Sequence, residues 1–294
     1  MKPAAFDYFA PGERTEALAL LAQYGEEAKI LAGGQSLLPL MHMRLARPHV
    51  IVDINHLADL AYITQTAAGG FAVGALTRQR TVERSSAVRA QHPLLAAAMP
   101  LIGHFQIRTR GTVGGSLVHA DPAAELPALC AALDAAFVLH STTQERLVAA
   151  EDFFLGYLTT ALAPEEMLTE IRFPAWQSTW GWDIQEVCRR AGDFALVGAI
   201  ALLHVDADHT CQAVRLTLFG VGGAPVRMRQ AEALLVGRRV DAQALAEVAQ
   251  VVAAALEPEA DIHASVAYRK EVGGVLARRT LTRALHRAQG DGMQ

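Results

Sequence analysis

Cysteine is scarce in this sequence: Cys130, Cys188 and Cys211 are the only three in 294 residues, widely separated and never in a C-x-x-C pair. That excludes a dense disulfide framework. It also argues against an iron–sulfur cluster held wholly by this chain, since such clusters usually take four ligands. Charge is sparse too, at 19% of residues with a formal net charge of −4, so no basic face invites nucleic acid. Any bound phosphate must therefore be held by local backbone donors. No apolar run approaches membrane-spanning length, and Met1-Lys2-Pro3-Ala4-Ala5-Phe6-Asp7 lacks the apolar core of a secretory signal. A soluble, cytoplasmic protein is expected. His42, His49, His56, His104 and His119 are scattered, without H-E-x-x-H or two-His-one-carboxylate spacing, and no G-x-S-x-G elbow or Cys–His dyad is present.

Hydrophobic residues make up 52%, enough for sizeable cores, and the length suggests two lobes. Phe6 to Phe9 reads as a strand. A helix follows from about Glu13 to Tyr24, with Ala17, Leu18, Leu20 and Leu21 at helical spacing and Gly25 ending it. Lys29 to Ala32 and Val50 to Ile54 read as buried strands. Between them Ser36 looks like the N-cap of a short helix through Met43. This strand–helix–strand–helix–strand order predicts a parallel α/β unit. Leu60 to Gln65 and Gly70 to Val73 should pair around a turn, and Pro93–Ile102 and Glu125–Leu133 should be helices. Ala135 to His140 reads as a strand, and the stretch from Leu147 to Phe173 as short strands and turns closing at Pro174. Trp176, Trp180 and Trp182 mark a boundary. Beyond it, Trp182–Arg190, Val197–Asp206 and Cys211–Val221 suggest three antiparallel strands, and helices fill most of the rest, around 230–235, 242–256 and 265–286.

Two glycine pairs stand out: Ala32-Gly33-Gly34-Gln35-Ser36 and Thr112-Val113-Gly114-Gly115-Ser116. Paired glycines allow positive φ and let a ligand approach the amides without a Cβ in the way. A run of free N–H groups in such a bend attracts phosphate oxygens. Both motifs are expected to grip one dinucleotide, although a strand–glycine–helix junction is also an ordinary tight connection. After the second pair come Asp121 and Glu125, which either accept from a ribose hydroxyl or serve as a cap and a solvated first-turn charge. His119 reads as a neutral hydrogen-bonding residue. Met41, Met43 and the tryptophans read as packing. Read from its own segment, Phe194 is a core residue of an apolar strand. Arg189-Arg190 either pairs with acidic groups or meets a partner subunit, or is a solvated strand end.

The run Ala32 to Pro39, then Gln106-Ile107-Arg108 leading into Gly111 to Ser116, then Ala120-Asp121-Pro122, resembles the FAD-binding medium subunits of the molybdenum hydroxylases. Carbon monoxide dehydrogenase flavoprotein subunits are the type case, and xanthine dehydrogenase flavin domains are more distant relatives. The likeness continues through Arg189 to Gly198 and Gly220 to Arg227, and so covers nearly the whole chain. It implies an α+β fold: a two-subdomain FAD-binding module of the vanillyl-alcohol oxidase type, residues 1–176 with subdomains about 1–56 and 57–176. A C-terminal domain of a three-stranded antiparallel sheet with helices, residues 177–294, would follow. It implies pyrophosphate contacts at Ala32, Gly33, Gly34, Gln35 and Ser36, and at Thr112, Val113, Gly114, Gly115 and Ser116. Flanking contacts would fall on Ile30, Leu31 and Leu37, with Ile102 and Leu168 as apolar lining. Glu125 stands where relatives carry a cofactor-binding aspartate and Gln185 where they carry a lysine. Thr109 replaces a frequent asparagine, and no contact is carried over to it. The pair Asp193-Phe194 would lie near the isoalloxazine.

The resemblance further implies an electron-transfer subunit carrying FAD, with the molybdopterin-type cofactor on a large partner and [2Fe-2S] clusters on a small one. The assembly would be a dimer of heterotrimers, a heterohexamer. This chain alone shows no acid–base set for substrate oxidation, so no catalytic residue is assigned, and the redox chemistry would be the cofactor's. Two other readings remain: a stand-alone flavin oxidase or reductase on the same fold, or a nonenzymatic nucleotide-binding or assembly protein.

Overall fold

A computed structural model describes residues 2–290; Met1 and 291–294, at the ends of the two expected lobes, lie outside the described residues. The chain opens with β1 (Asp7–Phe9), α1 (Arg14–Tyr24), β2 (Ala28–Leu31), α2 (Leu37–His42) and β3 (Val50–Asp53). The strands form the expected parallel sheet, with β3 between β1 and β2. Ala17, Leu18 and Leu21 of α1 share a core with Val50 and Val52, which satisfies the apolar stripe. Gly25, at φ 50°, ends α1 by donating its N–H to Leu21 O. The first residue of α2 follows Ser36, but Ser36 has helical backbone angles and no side-chain cap bond, so it is not the N-cap expected.

The middle segment runs β4 (Ile63–Gln65), β5 (Phe71–Gly74), α3 (Gln79–Arg84), α4 (Ser86–Gln91), α5 (Pro93–Ala98) and α6 (Phe105–Arg110). It continues with α7 (Val113–His119), α8 (Glu125–Ala132), β6 (Ala136–His140), β7 (Glu145–Ala149), α9 (Ala150–Phe153), β8 (Phe154–Gly156), β9 (Thr159–Thr160) and β10 (Met167–Phe173). Five of its strands make an antiparallel sheet in the order β4-β5-β10-β6-β7, and β8 and β9 pair separately. Leu94, Leu117, Leu126, Phe137 and Ile171 form the heart of a core between sheet and helices.

The remainder is β11 (Gly181–Val187), β12 (Val197–Val205), β13 (Cys211–Phe219), β14 (Val226–Arg227), α10 (Arg229–Leu235), α11 (Ala242–Ala255) and α12 (Val266–Ala288). The three expected strands pair antiparallel, and the two-residue β14 adds a fourth at the edge. Side chains alternate across a strand. Along β12, Ala199, Ala201 and Leu203 join the core under α11 and α12, whereas Ile200 and Leu202 join the core of the preceding lobe. This sheet is therefore shared between the two. The tryptophans belong to the seam: Trp176, Trp180 and Trp182 pack on the first lobe's core, with the Arg287 guanidinium 4.1 Å above the Trp182 ring.

Candidate functional site

A cavity of about 690 Å³ follows the line where the parallel unit, the antiparallel unit and the shared sheet meet. Its wall begins at the loop from β2 to α2. The Ala32 carbonyl accepts from Asn55 Nδ2 at 2.8 Å, and the Gly33 carbonyl accepts from Gln35 Nε2 at 3.0 Å. Among the described residues the N–H groups of Gly33, Gly34, Gln35 and Ser36 have no backbone partner. The loop's acceptors are thus engaged while its donors are unspent, which is the arrangement that takes an anion. Glycine is required twice. A Cβ on Gly33 would lie 2.5 Å from Arg110 O, and Gly34 sits at φ +73° with Leu38 Cδ1 2.9 Å from a built Cβ.

The second glycine pair is different, and here the sequence expectation is corrected. Gly114 and Gly115 lie inside the first turn of α7, not in an open bend. Val113 N donates to Thr77 O and Gly114 N to Ala75 O, both at 2.9 Å, while Ser116 N donates to Thr112 O at 3.2 Å. Thr112 Oγ1 caps the helix by accepting from Gly115 N at 3.1 Å. Those amides are spent, leaving hydroxyls as this motif's polar offering. The glycines serve close packing instead: a Cβ on Gly114 would lie 2.6 Å from Ala75 Cβ.

The cavity brings together Ile30, Ala32, Gly33, Gly34, Gln35, Ser36 and Leu37 from the first loop, and Thr112, Gly114, Gly115 and Ser116 from α7 and its cap. It adds Ile102, Asp121, Glu125 and Leu168, and, from the turn after β11, Asp193 and Phe194. Three expected residues are not on its wall. Val113 is buried in the core at 2% exposure, and Leu31 packs beneath Gly34, 3.3 Å from the position of a built Cβ. Gln185 points to the other face of β11, where its Nε2 donates to Asp183 Oδ2 at 2.7 Å. Asp183 in turn accepts from Arg287 of α12 at 2.8 Å.

Phe194 is not a core residue, as its own segment suggested: it is 59% exposed at the cavity's edge. Glu125 is no solvated charge, at 4% exposed. Burial, with Asp121 adding its charge, pushes the Glu125 carboxyl up to about 7 against the pull of Arg108. Asp121 Oδ1 accepts from Ala123 N at 2.9 Å, an Asx turn rather than a cap of α8. His119 also lines the cavity, and burial lowers it, so it stays neutral. No local signal marks Gln79, whose Oε1 is buried without a partner on the same wall, or His104 and Leu158; Ile107, part of the Gln106-Ile107-Arg108 run, also lines it. These come from remote segments, and only the fold brings them in.

The residues present fit a dinucleotide. The volume lies in the usual range for a cofactor site, apolar walls carry a few placed polar groups, and one glycine loop offers unspent amides. No group of three or more His, Cys, Asp or Glu among the described residues is placed to hold a metal, and no described helix is long and apolar enough to cross a membrane. Fold and site together define a flavoprotein module. Residues 4–176 match the family described as the FAD binding domain in molybdopterin dehydrogenase, and residues 183–284 match the CO dehydrogenase flavoprotein C-terminal domain. The chain is 38% identical to the 6-hydroxypseudooxynicotine dehydrogenase complex subunit alpha of Paenarthrobacter nicotinovorans, over 98% of this chain and 97% of that protein. It is 36% identical to the carbon monoxide dehydrogenase medium chain of Hydrogenophaga pseudoflava, over 97% and 98%. Among solved structures, a carbon monoxide dehydrogenase from Hydrogenophaga pseudoflava that lacks the Mo-pyranopterin moiety superposes with a TM-score of 0.94 at 37% identity, covering 98% of this chain and 99% of that one. The chain belongs to the FAD-binding medium subunits of molybdenum hydroxylase complexes, and is an oxidoreductase subunit.

Proposed function

We propose that this subunit relays electrons from [2Fe-2S] clusters on a small partner, through its own FAD, to an external acceptor. Substrate oxidation takes place at a molybdopterin-type centre on a large partner, in a cytoplasmic dimer of heterotrimers. Residues 1–176 form the FAD-binding domain, with subdomains about 1–56 and 57–176, and residues 177–294 form the C-terminal domain. FAD accepts and returns electrons singly or in pairs, which suits it to join carriers of different kinds. The chain supplies grip and surroundings. The Gly33–Ser36 amides hold the pyrophosphate, the Ser116 and Thr112 hydroxyls flank it, Asp121 and Glu125 meet polar groups of the cofactor, and Phe194 covers its exposed end.

The observation that carries the reading is the unspent amide loop on the wall of a cavity that the Asp193-Phe194 turn also lines. The cysteines support it: Cys130 and Cys211 are buried and far apart in sequence, so clusters must come from elsewhere. Purification of the native complex tests the proposal. Iron, molybdenum and two further chains should accompany this one, and the FAD-loaded single chain should oxidise no organic substrate. Turnover by the single chain would favour a stand-alone flavin enzyme and end the proposal.

A further inference from the structure

Arg78 is the extended residue that leads into α3, at φ −67° and ψ 139°. Its backbone bridges antiparallel to Thr112, and the next amide, Gln79 N, donates to Gly111 O at 2.9 Å. The backbone is thereby fixed beside the entry to α7, and the guanidinium reaches in two directions. Nη2 donates to Asn55 Oδ1 at 2.7 Å, and Nη1 donates to Arg110 O. Among the described residues Arg78 makes no ion pair, whereas Arg80 is taken by Glu83 at 2.6 Å.

Both acceptors belong to the bed of the amide loop. Asn55 Nδ2 donates to Ala32 O at 2.8 Å and to Asp53 Oδ1 at 2.6 Å, and Asp53 Oδ2 accepts from the Tyr8 hydroxyl at 2.7 Å. An amide side chain has one accepting end and one donating end. With the guanidinium on Oδ1, Nδ2 must face Ala32. Turned over, the amide would set donor against donor at Arg78 and acceptor against acceptor at Ala32 and Asp53. The Arg110–Gly111 peptide, for its part, is the surface on which Gly33 rests, with Arg110 O 2.5 Å from a built Cβ.

We propose that Arg78 is a positioning residue for the cofactor. Its guanidinium fork ties Asn55 to Arg110 O, and so holds the Ala32-Gly33 turn in the posture that leaves the Gly33–Ser36 amides open to a diphosphate. This rests on the reading of the first cavity as the FAD site. Neither Arg78 nor Asn55 lines that cavity, so their effect on the cofactor passes through the loop. A planar fork carries two N–H groups to two separate acceptors, where an ammonium on a flexible stem brings the same charge to one. Both residues line a second cavity instead, of about 790 Å³, together with Thr77, Arg80 and Arg84. A small solute therefore reaches the guanidinium position without passing through the cofactor space.

Titration of the full-length apo-chain with FAD, and with ADP as a diphosphate probe that lacks the flavin, tests this. Arg78→Ala should weaken both by about tenfold or more, the scale of one charge-assisted hydrogen bond, and Arg78→Lys should weaken both as well. Asn55→Ala should do the same, and Arg78→Ala combined with Asn55→Ala should lose less than the product of the two single losses. Millimolar methylguanidinium should restore part of the affinity of Arg78→Ala, and methylammonium should not; a general loosening of the fold would not distinguish two cations of equal charge. Wild-type affinity in Arg78→Lys would show that charge alone suffices and would overturn the fork, and this variant decides the matter if Arg78→Ala fails to fold. A double variant whose loss equals the product, a folded Arg78→Ala with unchanged affinity, or rescue by both cations or by neither would overturn it as well. Each of those results leaves the FAD site standing. Failure of the wild type to bind FAD would overturn the cavity reading and the role of Arg78 with it.

Discussion

A methyl group added at Gly33 would meet Arg110 O at 2.5 Å and Gly111 Cα at 2.9 Å, both backbone atoms that do not swing aside. Gly33→Ala should therefore push the amide loop off its bed, at a cost of about 1–3 kcal/mol for overpacking. FAD affinity should fall at least about tenfold, as read by flavin fluorescence titration, with the remaining secondary structure intact by circular dichroism. His92 gives a prediction of another kind. Its Nε2 lies 2.8 Å from Pro174 O, while Nδ1 is buried without a partner among Phe71, Phe173 and Trp176. Burial lowers its folded-state pKa despite the Pro174 bond. The unfolded chain therefore binds the proton first, and stability is lost as pH falls below about 6.5, the value for free histidine. His92→Leu should cost about 1–2 kcal/mol at pH 7.5, where Pro174 O loses its partner, and should flatten the acid limb of Tm against pH.

At the scale of elements, Arg108 ties α6 to its neighbours beside the cavity. Arg108, 7% exposed, pairs with Glu83 of α3 at 2.9 Å and gathers the carbonyls of Ile102 and Gly103, which shape the turn beside the cofactor space. Arg108→Met should cost about 1–3 kcal/mol, because it leaves the Ile102 and Gly103 carbonyls without their donor and Glu83 with Arg80 as its remaining partner. Both Tm and FAD retention should drop. The opening parallel unit was legible because short apolar strands, a helical stripe and Gly25 all point the same way. Gly114-Gly115 was not: paired glycines have low helix propensity, and the Thr112 cap together with the close approach to Ala75 accounts for a helix there. The phase of β11 was carried by its alternation: Trp182 and Ile184 take the seam face, and Gln185 shares the other face with Asp183, to which it donates.

Across the whole molecule the two lobes are tied at the level of the backbone. Gly220 N donates to Pro122 O at 2.8 Å, next to Asp121 on the cavity wall. The same Gly220 offers its carbonyl to Arg269 of α12 at 2.8 Å. Arg269 also binds Leu196 O, two residues past Phe194, so the turn that closes the cavity is braced by the last helix. Such a frame suits the proposal that one cofactor is held between remote segments with its pyrophosphate on the Gly33–Ser36 amides. Spectrophotometric titration of the full-length apo-chain with FAD, run beside Gly33→Ala, tests this most directly. The account predicts one FAD per chain, bound non-covalently and released by denaturation, with affinity sharply reduced in the variant. Saturation at zero, or the same affinity with the amide loop displaced, would contradict it.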